Sequence, residues 1–154
     1  MPFYRAGSKE IREQGMKTVL LIDDSDTFRE SASAALMAAE YDVLEARCPD
    51  EAFKILELES VDIIVCDLHM PFCLDERRPQ FEESTKVGVR TIRELMEVFP
   101  DKPIIAMTAS LPFELEMYRA QLEDVPTFSK PSNCGELLRI VEQCLDLPAW
   151  IPAH

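Results

Sequence analysis

The chain has 154 residues, enough for one domain with a core of its own and too few for two of ordinary size. Its formal net charge of -13 excludes a broad surface for nucleic acid, which needs clustered Lys and Arg. Five cysteines without a Cys-x-x-Cys pair, and only two histidines, give no zinc-type cluster and fit a reducing cytoplasm.

Met1 to Met16 is polar and lacks the apolar stretch of a secretory signal, so residues 1–16 are expected to form an N-terminal extension. Apolar runs such as Val19-Leu20-Leu21-Ile22 are strand-sized, far short of a membrane span. Strands are expected at Thr18 to Ile22, Tyr41 to Ala46, Val61 to Cys66, Pro103 to Met107 and Val125 to Ser129.

Helical spacing separates them. Phe28, Ala32, Ala35 and Ala39 share one face, and Ala52, Ile55 and Leu56 mark a shorter helix. Val89, Ile92, Met96 and Phe99 form the third stripe, and Leu111, Leu115, Tyr118 and Leu122 the fourth. The last helix carries Leu137, Leu138, Val141, Cys144 and Leu145, with Asn133 and Glu136 at capping-box spacing before it. Five strand-helix repeats predict an α/β domain over residues 17–147, with a parallel sheet covered on both faces and a tail at 148–154. One connection, about 72–86, has no period and is long enough to be functional or disordered.

Ligands of open parallel sheets bind beyond the carboxyl ends of the strands. There the first strand delivers Asp23 and Asp24, the third Asp67, the fourth Thr108 and the fifth Lys130. Any one of these has an ordinary explanation as a helix cap or turn residue. Together they do not, because three carboxylates at one edge repel one another unless a cation compensates them. A hard divalent ion such as Mg²⁺ suits oxygen ligands of this kind and also takes a phosphate oxygen. Thr108 can donate a hydrogen bond and Lys130 supplies a mobile positive charge, so the set could neutralise a phosphoryl group.

The segments Leu20-Leu21-Ile22-Asp23-Asp24-Ser25, Ile63-Ile64-Val65-Cys66-Asp67-Leu68-His69-Met70-Pro71, Ile104-Ile105-Ala106-Met107-Thr108-Ala109 and Phe128-Ser129-Lys130-Pro131 resemble the response-regulator receiver family, of the stand-alone chemotaxis type. The resemblance implies a flavodoxin-like (βα)5 fold with strand order 2-1-3-4-5, and Mg²⁺-dependent phosphorylation, with Mn²⁺ as a possible substitute. By the same resemblance, Asp67 is the phosphoacceptor and Asp24 the main metal carboxylate, with Asp23 beside it through water. The backbone carbonyl of His69 is a further metal ligand. Thr108 corresponds to the switch hydroxyl and Lys130 to the phosphate-pairing lysine, joined to Pro131 by a cis bond. The implied partners are a histidine kinase or phosphotransfer protein upstream and a protein target downstream, reached through the fourth helix, fifth strand and fifth helix. Such a chain catalyses only its own phosphorylation and dephosphorylation and is not otherwise an enzyme.

Three features depart from the family pattern. Thr127 occupies the usual aromatic switch position, and Phe128, on the opposite strand face, cannot replace it. The connection after Pro71 is longer than usual, with Gly88 in the place of a glycine that normally follows sooner. Its span Cys73 to Thr85 is expected beside Asp67, where it would restrict water or the kinase. With Thr127 lacking a ring, the switch is expected to move the loop Ala109 to Phe113, and Phe113, Met117, Tyr118 and Thr127 lie near the output face. Two other classes fit parts of the pattern. An aspartyl-phosphate phosphatase would need a second Asp where His69 stands, and an unphosphorylated receiver-like interaction module would have no use for the intact acidic set.

Overall fold

The computed structural model of the chain describes residues 15–71, 73–75, 77, 83–109, 116, 118–122, 125–130 and 133–146. The first strand, β1 (Thr18–Ile22), leads into helix α1 (Asp26–Ala38), and β2 (Asp42–Ala46) into α2 (Pro49–Leu58). After β3 (Ile63–Asp67) come two short strands, β4 (Met70–Pro71) and β5 (Glu83–Ser84), and then α3 (Thr85–Val98). Strand β6 (Ile104–Thr108), a 3₁₀ turn (Arg119–Gln121), β7 (Thr127–Ser129) and α4 (Cys134–Leu145) complete the described elements.

The main sheet is parallel throughout and ordered β2-β1-β3-β6-β7, which is 2-1-3-4-5 when the two-residue strands are set aside. Alternation along each strand splits the core in two. Leu20, Ile22, Leu44, Ile64 and Ala106 pack with Ala52 of α2 and Val89, Ile92 and Leu95 of α3. Val19, Leu21, Val43, Ile63, Val65 and Met107 pack with Ala32 and Leu36 of α1 and Leu137, Ile140 and Val141 of α4. Each fully buried side chain of this size contributes about 1.5–3 kcal/mol, so a strand apolar on both faces is stable only between two helical layers.

The caps show why the helices begin and end where they do. Ser25 caps α1 by accepting the Phe28 N–H at 3.2 Å, and Asn133 caps α4 by accepting the Glu136 N–H at 3.1 Å, at the spacing expected from sequence. Helix α1 ends through Glu40 at φ 70°, which lets the Tyr41 N–H reach the Leu36 carbonyl at 3.0 Å.

Three expectations change. The buried stripe of α1 is Arg29, Ala32, Ser33 and Leu36, turned from the Ala35/Ala39 side, with Arg29 reaching the polar partners described below. The connection expected over 72–86 is shorter: Met70–Pro71 pair antiparallel with Glu83–Ser84, and α3 already includes Thr85 and Lys86. Of the expected fourth helix, Glu116 and Tyr118 are helical, the 3₁₀ turn follows, and Leu111 and Leu115 lie outside the described residues.

Gly88 fixes how α3 sits. A Cβ there would lie 1.9 Å from the Leu68 carbonyl oxygen, so only glycine lets the helix approach the backbone that follows Asp67. Gly88→Ala should therefore destabilise the fold by about 2–4 kcal/mol in urea unfolding. An unchanged midpoint would contradict this packing.

Candidate phosphorylation and metal site

Main-chain bonds continue the sheet one residue past three strands and thereby set the site. The Asp23 N–H donates to the Ala46 carbonyl at 3.0 Å, the Leu68 N–H to Met107 at 2.9 Å and the Lys130 N–H to Thr108 at 2.6 Å. Residues far apart in sequence are thus held at one sheet edge by backbone, before any side-chain interaction acts.

Carboxylate oxygens of Asp23, Asp24 and Asp67 lie within 4.8 Å of one another, the grouping expected from the strand ends. Asp23 is 1% exposed and Asp67 5%, while Asp24 is less buried. Asp23 uses both oxygens: Oδ1 accepts the Ser25 N–H at 2.8 Å, and Oδ2 meets Lys130 Nζ at 2.8 Å. Ser25, not Asp24, caps the following helix. The helix-cap explanation of Asp24 therefore falls away.

Lys130 Nζ stands farther from Asp67 Oδ2, at 3.9 Å, and the His69 N–H approaches Asp67 Oδ1 at 3.4 Å. Asp67 is less well compensated than Asp23. Burial and then the neighbouring Asp23 charge push its carboxyl up to about 7, against the opposing pull of Lys130 and the His69 N–H, while Asp24 adds to the rise. Beneath it, burial pushes the Cys66 thiol well above its ordinary value, which keeps that sulfur an inert part of the core. Thr108 is buried at the end of β6, beside the Lys130 backbone.

His69 follows two residues after Asp67, its side chain exposed and its N–H turned to the Asp67 carboxylate. Pro131 lies outside the described residues, and with it the expected cis bond. Thr127 and Phe128 resolve as the sequence suggests. The Thr127 hydroxyl donates to the Val125 carbonyl at 3.2 Å, and Phe128 packs on the α1/α4 side of the core. Of the residues expected near the output face, Tyr118 and Thr127 are half-buried, while Phe113 and Met117 lie outside the described residues.

Sequence reasoning missed Arg29. Only 5% exposed, it donates from Nη1 to the Asp23 carbonyl at 2.7 Å, from Nε to Glu45 at 3.3 Å and from Nη2 to Asp26. It ties the backbone of the acidic pair to α1 and β2. The available signal was a charged residue three before Ala32 and seven before Leu36 on an apolar stripe. Phe28 was missed as well. Its ring lies under Lys130, with Nζ 4.5 Å from the ring centroid.

The family model for the response regulator receiver domain matches residues 19–142. No curated protein matches the chain by sequence. Among solved structures, a response regulator from Thermotoga maritima is 23% identical, with a TM-score of 0.67 over 86% of this chain and 99% of that one. A CheY-like receiver domain protein from Methanospirillum hungatei JF-1 is 20% identical, with a TM-score of 0.67 over 86% and 95%. The response regulator TrrA of Thermotoga maritima, solved in complex with Mg²⁺ and beryllium fluoride, is 22% identical, with a TM-score of 0.64 over 83% and 98%. At these identities the structural likenesses establish the fold. The family match spans most of the chain and includes the acidic cluster at its sheet edge, and so the chain belongs to the response regulator receiver domain family.

Proposed function

We propose that the protein is a phosphorylation-dependent signalling switch in which Asp67 accepts a phosphoryl group from a histidine kinase or phosphotransfer protein. The observation that carries this reading is the cluster of Asp23 and Asp67, both buried, with the more exposed Asp24 beside them and Lys130 above. A structural salt bridge would need one carboxylate for one lysine. Here Asp23 and Asp67 share one ammonium with a third carboxylate close by, and that concentration of negative charge suits a cation.

The donor set fits a divalent ion such as Mg²⁺, since every side chain offers oxygen and the Asp67 carboxyl is pushed up by burial and by the Asp23 charge, which a cation would offset. Asp23, Asp24 and Asp67, with the His69 carbonyl, would hold it. Once bound, such an ion supplies positive charge against phosphoryl oxygens. Mn²⁺, with similar preferences, would serve as well.

Asp67 then acts as the nucleophile. Its carboxylate oxygen bonds to phosphorus as the bond from phosphorus to the donor nitrogen breaks, and the freed imidazole takes a proton from solvent. Lys130 offsets charge on the phosphoryl oxygens, and Thr108 donates its hydroxyl to one of them. In this reading the chain modifies only itself, and its output passes to a protein target. No helix among the described residues is long and apolar enough to cross a membrane.

With Mg²⁺ and acetyl phosphate, intact-mass analysis should show one added phosphoryl group on the unsubstituted chain and none on Asp67→Asn. Labelling that persists in the variant would remove Asp67 from the role.

The electrostatics give a second expectation. Without a divalent ion, folded Asp67 titrates at about 7 against an ordinary value of 3.8, so the folded state binds the extra proton between those values. Stability must therefore fall as pH rises through this window, by about 1 kcal/mol between pH 6 and 8. Metal-free urea midpoints should show that slope, Asp67→Asn should flatten it, and Mg²⁺ should raise the pH 8 midpoint of the unsubstituted chain only. An equal slope in Asp67→Asn would place its origin elsewhere.

A further inference from the structure

Lys130 is held by two kinds of attraction at once. Its Nζ lies 2.8 Å from Asp23 Oδ2 and 4.5 Å from the centre of the Phe28 ring, with Asp67 Oδ2 at 3.9 Å. The first turn of α1 sets the ring in place, because Ser25 accepts the Phe28 N–H at 3.2 Å while its own N–H binds Asp23 Oδ1 at 2.8 Å. One short segment therefore presents both the carboxylate and the aromatic face to the same ammonium.

The two attractions respond differently to a second cation. A divalent ion on the Asp23 and Asp67 carboxylates competes with Lys130 for those oxygens and repels its charge. A lysine with carboxylate partners alone would swing into water on its four-carbon stem. The aromatic face draws the ammonium through its quadrupole and is untouched by that competition.

Resting on the reading of Asp67 as phosphoacceptor, we propose that Phe28 is a positioning residue whose ring retains Lys130 over the pocket when Asp23 gives up its Oδ2, so that the lysine reaches the phosphoryl group on Asp67. Phe28 is half-buried and also packs on the α1/α4 side of the core, so the test must separate ring electronics from packing.

Fluorinated phenylalanines at position 28 do so, since they drain the quadrupole with little change in shape. Across 4-fluoro, 3,5-difluoro and 3,4,5-trifluoro rings, Mg²⁺-dependent labelling by acetyl phosphate should slow stepwise, by about three- to tenfold at the end of the series. Melting temperatures should stay level, and the ring-current shift of the Lys130 ε-methylene protons, read by NMR with Mg²⁺ present and before phosphorylation, should shrink in the same order. Phe28→Tyr should keep the rate and Phe28→Leu should lose it. A rate that is flat across the series, or that follows melting temperature alone, overturns the proposal in a chain that labels normally. If the unsubstituted chain takes no phosphoryl group, the acceptor reading fails first and this proposal falls with it.

Discussion

Repulsion among the carboxylates of Asp23, Asp24 and Asp67 is the constraint on which the rest of the structure depends. Left to themselves, three such groups within 4.8 Å would push the ends of β1 and β3 apart or take up protons. The fold resists the first outcome with main-chain bonds from Asp23 to Ala46 and from Leu68 to Met107, made by a sheet whose strands are buried on both faces. It accepts part of the second at Asp67, whose carboxyl is raised to about 7, while Lys130 satisfies Asp23 at closer range. The site therefore stores an unmet demand for positive charge. That demand gives a binding event the means to bias the surrounding structure.

Around this demand the supports are stiff. Arg29 spans the Asp23 carbonyl, Asp26 and Glu45, which joins the acidic turn to both α1 and β2. Gly88 brings α3 against the Leu68 backbone, so the segment after Asp67 rests on that helix. Such backbone support around a single lysine suits the proposed phosphoryl acceptor, whose carboxylates need not rearrange. The β4/β5 ribbon starts three residues after Asp67 and pairs the two ends of the long connection.

Much of this was legible in the sequence, for identifiable reasons. The central strands β1, β3 and β6 are near-continuous apolar runs because a two-faced parallel sheet requires it, so β1 from Thr18 to Ile22 reads directly. The strand ends then assemble Asp23, Asp24, Asp67, Thr108 and Lys130 by topology alone. Arg29 was not legible, since hydrophobic periodicity is blind to a charge whose partners are a carbonyl and two carboxylates elsewhere in the fold. The Phe28 contact with Lys130 escaped because it joins the first helix to the last strand, beyond any local spacing rule. Two-residue strands such as Met70–Pro71 have no period to read, and the helical start at Thr85 was hidden within a stretch of charged residues.

The account turns on whether the three carboxylates take a cation and Asp67 a phosphoryl group in one event. A crystal structure with Mg²⁺ and beryllofluoride tests this most directly. The account predicts beryllium bonded to an Asp67 oxygen, the ion held by Asp23, Asp24, Asp67 and the His69 carbonyl, and Lys130 turned from Asp23 to a fluorine with its ammonium still over Phe28. A beryllofluoride-free Asp67, or an ion bound away from the three carboxylates, would contradict it.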